Sequence, residues 1–369
     1  TMYLPLLEKQ PSNLFFIRPR RFGKSIFLSM LRTYYDIAQK EKFEKRFSNL
    51  WIGSRPTQLQ GTFQILFLDF SRVGGLDRTL AENFDDYCCG GLDDFASIYE
   101  PYYYPGFEEE MKAQYGTTNK LNFLDRKARN NGSKLYLIVD EYDNFTNVVL
   151  NEQGDKVYHA LTHASGFYRE IFKKFKGMFE RIFMTGVSPV TLDDLTSGFN
   201  IGWNISTDHQ FNMMLGFSET DVREMIQYYK DAGQLPGNTN IDAMIEEMRP
   251  WYDNYCFAEE SLERDPKMFN CDMVFYYLRH YMTLGKSPKE MIDPNTRTDY
   301  NKMKKLIRLD KLDGNRKGVL RKITEDGQIV TTLTTTFPAT DITKPEIFPS
   351  LLFYYGMPVS YTHLTLPTN

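Results

Sequence analysis

The sequence has no apolar run long enough for a membrane-spanning helix, which needs about 20 residues. Its longest apolar stretches, around Phe63–Phe70 and Leu135–Val139, have the length of strands. It also has no excess of positive charge, because the formal net charge is -4 at pH 7. These absences predict a protein that works away from membranes and does not bind nucleic acid over its whole surface, although a local basic patch stays open.

Cysteine and histidine are scarce as well. The four cysteines show no C-x-x-C spacing, and the neighbours Cys88 and Cys89 are poor partners for an ordinary disulfide. This pattern predicts reduced thiols and a cytoplasmic location. His159 and His163 are spaced to share a helix face, but no third ligand stands near them, so the sequence predicts no histidine metal site.

The overall composition is that of a folded globular protein. The chain has 369 residues, of which 41% are apolar and 25% charged, so it can form one large domain or two. Because the chain begins Thr1-Met2-Tyr3 in the middle of a pattern, we expect a truncated amino end. We interpret residues 360–369 as a non-native tail.

Buried strands and amphipathic helices alternate in the amino-terminal half. The predicted strands are Leu14–Ile17, Phe63–Phe70, Leu135–Val139 and Arg181–Gly186. Helical patterns dominate from about residue 212, where Ser218 and Asp221 form a capping box. The sequence therefore predicts an α/β fold, a P-loop NTPase core with a mostly parallel sheet flanked by helices in residues 1–211. A mainly helical lid or second domain is expected in residues 212–359.

The segment after the first strand reads Arg18-Pro-Arg-Arg-Phe-Gly-Lys-Ser25, and we call residues 18–25 the arginine-rich loop. It ends in the G-K-S of the pattern G-x-x-x-x-G-K-[ST], which binds nucleotide phosphates and magnesium. Lys24 is predicted to contact the β and γ phosphates of ATP, and Ser25 to bind Mg²⁺. Arg18 replaces the first glycine, so the loop entry must differ, with Pro19 fixing its course. The alternative is a basic turn before an amphipathic helix.

The nucleotide contacts are expected from consecutive residues of this segment: Arg20, Arg21, Phe22, Gly23, Lys24, Ser25 and Ile26. The arginines at positions 18, 20 and 21 would add positive charge near the phosphates.

The third predicted strand ends in Asp140 and Glu141, and a strand ending in acids is the second element of a P-loop ATPase. We expect Asp140 to bind Mg²⁺, usually through water. Glu141 would be catalytic together with Lys24, by polarising the water that attacks the γ phosphate. The alternative for Glu141 is a surface carboxylate, and Asp143 fits loop capping better than catalysis. Thr185 or Ser188 would either sense the γ phosphate or cap a helix.

With the arginine-rich loop and Val139-Asp-Glu-Tyr-Asp143 both placed, the chain resembles the bacterial AAA-ATPase-like family of P-loop proteins. That family shares the loop without its first glycine, so this departure does not suggest an inactive protein. Other segments carry the resemblance: Met184-Thr-Gly-Val-Ser-Pro-Val190, Ser197-Gly-Phe-Asn200, Leu215-Gly-Phe-Ser218, Trp251-Tyr-Asp-Asn-Tyr255 and Phe353-Tyr-Tyr-Gly356.

The resemblance implies ATP and Mg²⁺ as ligands and ATP hydrolysis that drives a conformational change. Two alternatives stay open: a nucleotide-gated binding module or scaffold with negligible hydrolysis, and the regulatory part of a nuclease, because members of the family often carry a PD-(D/E)xK nuclease-like domain. The carboxyl-terminal region would supply a nucleic-acid or protein partner site. Its basic cluster in residues 302–322 is equally explained as a solvated helix face. The sequence leaves the oligomeric state open.

Overall fold

The computed structural model describes residues 1–73, 79–143, 167–191, 202–258, 260–261, 267–293, 316–326, 331–335, 337–338 and 344–355. Several sequence features lie outside these ranges, namely His159 and His163, the segment Ser197–Asn200, the basic cluster before residue 316 and the tail of residues 360–369.

The α-helices are α1 (Leu4–Glu8), α2 (Lys24–Tyr35), α3 (Phe43–Phe47), α4 (Leu80–Tyr99), α5 (Phe107–Lys112), α6 (Gly116–Asn131), α7 (Phe167–Met178), α8 (Glu219–Asp231), α9 (Ile241–Tyr252), α10 (Cys271–Leu284), α11 (Arg316–Asp326) and α12 (Phe348–Tyr354). The strands are β1 (Asn13–Ile17), β2 (Phe63–Asp69), β3 (Lys134–Asp140), β4 (Arg181–Gly186), β5 (Val190–Thr191), β6 (Trp203–Asn204), β7 (Asp253–Tyr255), β8 (Met268–Phe269) and β9 (Phe337–Pro338). Short 3-10 helices span Ile37–Lys42, Phe70–Arg72, Glu100–Tyr102, His209–Phe211 and Pro345–Ile347.

The described residues form two compact units. The first unit draws on Thr1–Phe16, Ser25–Gly186 and Val190–Ile205, and the second on Ile17–Lys24, Val187–Pro189 and Ser206–Asn369. This division by contact does not test the predicted domain boundary at residue 211, which stays a prediction.

A five-stranded parallel sheet is the centre of the first unit, in the order β2-β3-β4-β1-β6. Its register places Asp69, the last residue of β2, opposite Asp140, the last residue of β3. The strands β2, β3 and β4 are buried along nearly their whole length, as expected for a parallel sheet covered by helices on both faces. Parallel pairing brings the carboxyl ends of β3 and β4 to one edge, where ligands bind in open α/β sheets.

The α/β fold is therefore confirmed. The predicted strands correspond to β1, β2, β3 and β4, and each differs from its predicted bounds by at most one residue at either end. The predicted amphipathic helix is α2, whose Phe27, Leu31 and Tyr34 are buried. Large apolar side chains recur every 3.6 residues, so they form one apolar face of α2. Such a face is buried in the protein and can cover a sheet.

The helices α8, α9 and α10 enclose the core of the second unit. Helix α8 begins at Ser218, whose hydroxyl accepts from the Asp221 backbone amide, while the Asp221 carboxylate accepts from the Ser218 amide at 2.8 Å. This confirms the predicted capping box. The core side chains are mostly aliphatic and aromatic: Val222, Ile226, Leu235, Met244, Ile245, Met248, Tyr252, Phe269, Val274, Tyr277, Leu278 and Met291. Within the part of the chain that the structure describes, no helix is long and apolar enough to cross a membrane.

Candidate functional site

Arg18 at the entry of the arginine-rich loop is buried, with 1% of its surface exposed. Its guanidinium donates to the backbone carbonyls of Ser206 at 2.7 Å and Phe211 at 2.8 Å. It also lies over the ring of Phe257, 4.0 Å from the centroid. Arg18 therefore anchors the loop entry to residues 206–211 within the second unit, and the charge that it would add near the phosphates stays a prediction.

The loop conformation shows why position 18 does not need glycine. The left-handed backbone falls instead at Arg21, with φ 69°, and at Gly23, with φ 87°. Glycine adopts such angles without steric cost, whereas arginine does not. Arg18 is not among the residues with positive φ, so position 18 does not require glycine, and the loop residue under conformational strain is Arg21.

Lys24 is the first residue of α2, and its side chain folds back along the loop. Its ammonium donates to the carbonyls of Arg18 and Pro19, each at 3.0 Å, and only 8% of the residue is exposed. A cation held over its own loop in this way is placed to receive an anionic oxygen, which would replace the carbonyls as its partner.

Ser25 and Asp140 come together in the first unit. The Ser25 hydroxyl donates to Oδ2 of Asp140 at 2.6 Å, and Asp140 is only 5% exposed. The contact joins the amino end of α2 to the carboxyl end of β3, and both residues carry oxygen ligands. Mg²⁺ is usually bound by one or two protein oxygens together with water and substrate phosphates, so this donor pair fits the ion. Among the described residues, no group of three or more His, Cys, Asp or Glu forms a metal cage.

Glu141 directly follows Asp140 in the chain. Its backbone adopts φ 48°, and its amide donates to Oδ1 of Asp140 at 2.9 Å. The Asp140 carboxylate is thereby held from both sides, by the Ser25 hydroxyl and by the Glu141 amide. A glutamate with its backbone in the left-handed region is uncommon, and this conformation changes the direction of the chain directly after β3.

The tips of β3 and β4 pack closely. The Tyr142 amide donates to the Thr185 carbonyl at 3.1 Å, and the Thr185 hydroxyl donates to the Phe16 carbonyl at 2.7 Å. A Cβ added at Gly186 would lie 2.4 Å from Oδ1 of Asp143 and 2.7 Å from the Tyr142 ring. Asp143 is thus buried close to Gly186, and the Thr185 hydroxyl joins β4 to β1.

We expect Gly186→Ala to displace residues 142–143 and, through them, the neighbouring Asp140 and Glu141. The clash is with buried groups that cannot move away freely, so we expect a loss of about 1–3 kcal/mol in the free energy of unfolding. Urea unfolding measures it, with Gly177→Ala as the control because a Cβ at Gly177 meets nothing within 4 Å. Equal stability of the two variants would contradict this packing.

The other residues predicted to contact the nucleotide differ in how far their side chains are exposed. Phe22 is fully buried, edge-to-face against Tyr255 at 4.8 Å and Phe257 at 5.5 Å, so only its backbone is available to a ligand. Ile26 is 77% exposed on α2. Arg20 is partly buried, and its carbonyl accepts a hydrogen bond from Asn270 at 3.2 Å.

Sequence reasoning missed the residues that hold the loop from far along the chain. Ser206 accepts from the Ile17 amide at 2.8 Å, and Asn270, Cys271 and Asp272 contact residues 20–22. A polar residue before α10 signals a helix cap, but no local pattern links that cap to a loop about 250 positions earlier.

A parallel α/β sheet, with a lysine-serine pair opening a helix and an acidic strand end, defines the P-loop class of fold. The family model described as predicted AAA-ATPase matches residues 1–196, and the chain belongs to this AAA-ATPase-like family. It is also similar to a protein of Azotobacter chroococcum mcd 1 described as an uncharacterized protein in the vnfD 5' region, with 27% identity over 263 residues. The match covers 70% of this chain and 44% of that relative. The family supports a nucleotide-binding kind of function.

Proposed function

We propose that this protein binds ATP with Mg²⁺ at the arginine-rich loop and hydrolyses it. The observation that carries the proposal is the 2.6 Å hydrogen bond between Ser25 and Asp140. Two motifs 115 positions apart in the chain supply one hydroxyl and one buried carboxylate at the same point. Lys24 precedes Ser25 in the chain and Glu141 follows Asp140. A hydrogen bond that served only to stabilise the fold would not need these two charged neighbours.

We assign one role to each residue of the proposed site. The Lys24 ammonium would neutralise the β and γ phosphates, and the loop amides from Arg20 to Gly23 would donate to phosphate oxygens. Ser25 and Asp140 would hold Mg²⁺, which supplies charge neutralisation to the phosphates when it is bound. Glu141 would orient water and accept its proton.

The proposal is tested by nucleotide binding and phosphate release with and without Mg²⁺, using the wild type, Ser25→Ala and Asp140→Asn. We expect each variant to lose the Mg²⁺-dependent part of ATP affinity, about 10- to 100-fold, because each removes a metal ligand or its orientation. Asp140→Asn keeps the side-chain shape, so thermal unfolding checks that the buried position still folds.

A matched control is Asp125→Asn, because Asp125 pairs at 2.8 Å with the exposed Arg129, one turn further along α6. Mg²⁺-dependent binding that persists in both site variants would refute the metal assignment. ATP binding without phosphate release in the wild type would favour the nucleotide-gated binding module over the ATPase. No ATP binding at all would overturn the proposed function.

A further inference from the structure

The middle of the arginine-rich loop is held by three consecutive residues at the start of α10, within the second unit. Asn270 donates to the Arg20 carbonyl, Asp272 pairs with the Arg21 guanidinium, and the Cys271 thiol lies 3.8 Å from the Phe22 carbonyl. We call Asn270–Asp272 the loop clasp. Each of its three members contacts a different one of three successive loop residues, so the clasp fixes the course of the loop backbone.

The residues of the clasp are themselves buried or partly buried, and they are hydrogen-bonded. Asn270 is 8% exposed, and its side-chain oxygen caps α10 by accepting from the Asp272 backbone amide at 3.1 Å. Its backbone amide donates to the Tyr252 carbonyl at 3.1 Å. Burial raises the pKa of the Cys271 thiol to about 12, so the thiol stays protonated at neutral pH and can serve as a donor. The loop therefore meets a partner that is itself held by hydrogen bonds to α9 and α10.

Arg21 is the loop residue that most needs such support. Its φ of 69° lies in the left-handed region, which costs an L-residue free energy equivalent to about tenfold in a conformational equilibrium. Without an external hold, Arg21 would leave this region and turn its own amide and that of Phe22 out of line. The ion pair with Asp272 is the contact through which α10 can supply the hold.

We propose that Asp272 is a positioning residue for nucleotide binding: it holds Arg21 in the left-handed conformation that a phosphate-binding loop requires. The inference rests on the proposed function, because the ligand it concerns is the nucleotide phosphate. Asp272 touches no reacting atom in this assignment. It pre-organises the loop amides, and pre-organisation appears directly in the dissociation constant.

Glycine in place of Arg21 separates conformation from charge. Glycine adopts positive φ freely, whereas alanine does not, and both remove the guanidinium. We expect Arg21→Ala to bind the fluorescent nucleotide mant-ATP with Mg²⁺ about tenfold more weakly than Arg21→Gly does, because only glycine adopts the positive φ without cost. If the guanidinium acted only by attracting phosphate, both variants would weaken binding equally, and that result would overturn the inference.

The second arm asks whether glycine removes the need for Asp272. Asp272→Ala should weaken mant-ATP binding about tenfold in the wild-type background and leave it unchanged in the Arg21→Gly background, which is the coupling a double-mutant cycle measures. Asp242→Ala is the matched control, because Asp242 also lies in the first turn of a helix and pairs with an arginine, Arg223, at 2.6 Å. This control should bind as the wild type does.

The outcomes separate the two proposals. Wild-type binding that Lys24→Ala abolishes but Asp272→Ala leaves intact would sink the positioning role and keep the proposed function. A wild type that binds no mant-ATP would sink both. Thermal unfolding of every variant shows whether a loss of binding is local, and restoration of binding by Arg21→Gly in the Asp272→Ala chain cannot come from a merely destabilised fold.

Discussion

Lys24→Ala is expected to weaken ATP binding by at least about 100-fold. The ammonium lies 3.0 Å from the carbonyls of Arg18 and Pro19, so it already sits over the loop where a phosphate would replace these weaker partners. Hydrogen bonds to charged groups contribute about 1.5–3 kcal/mol each, and a lysine can make more than one to a triphosphate. Isothermal titration with ATP and Mg²⁺ measures the loss.

Lys45→Ala is the control for this change, because Lys45 is exposed on α3 and its removal alters the net charge by the same amount. Lys24 is largely buried, so its loss also frees two carbonyls; the thermal unfolding of the apo variant shows how far the loop tolerates that. An affinity in Lys24→Ala within threefold of the wild type, with the fold intact, would remove the lysine from the site and leave the loop as a basic turn.

The sequence was sufficient for the sheet and for the order of the two motifs. Buried strands can be recognised in the sequence because short runs such as Phe63–Phe70 are strongly apolar and are bounded by polar residues or glycine. Once β1 and β3 are strands of one parallel sheet, the residues that follow them must face the same edge, and Ser25 meets Asp140 there. Local pattern and topology together carry that prediction.

The support of the loop could not be predicted in the same way. Arg18 and Arg21 are alike in sequence, yet one is buried on the carbonyls of residues 206 and 211, and the other pairs with Asp272. These partners are 188 and 193 positions away from Arg18 and 251 positions away from Arg21, so only the packing of the second unit decides which arginine is buried. The positive φ of Arg21 and of Glu141 could not be predicted either, since neither residue type favours it.

Glu141→Gln is expected to leave ATP binding within about threefold of the wild type and to reduce phosphate release by about 100- to 1,000-fold. The two side chains have the same shape, but an amide does not accept the proton of the attacking water, and a positioned general base contributes on the order of 10²–10⁴ in rate. The Glu141 group that donates to Asp140 at 2.9 Å is the backbone amide, so the substitution leaves Ser25 and Asp140 in place. Binding and turnover should therefore separate in this variant, whereas they fall together in Lys24→Ala.

Glu109→Gln is the matched control, an exposed glutamate of α5 changed in the same way, and it should release phosphate at the wild-type rate. Single-turnover measurement distinguishes slow chemistry from slow product release, because only the former depends on the base. Full turnover in Glu141→Gln would show that another group activates the water or that Asp140 and the metal suffice. In that case the left-handed backbone at Glu141 serves to orient Asp140, and the carboxylate is a surface group at the strand end.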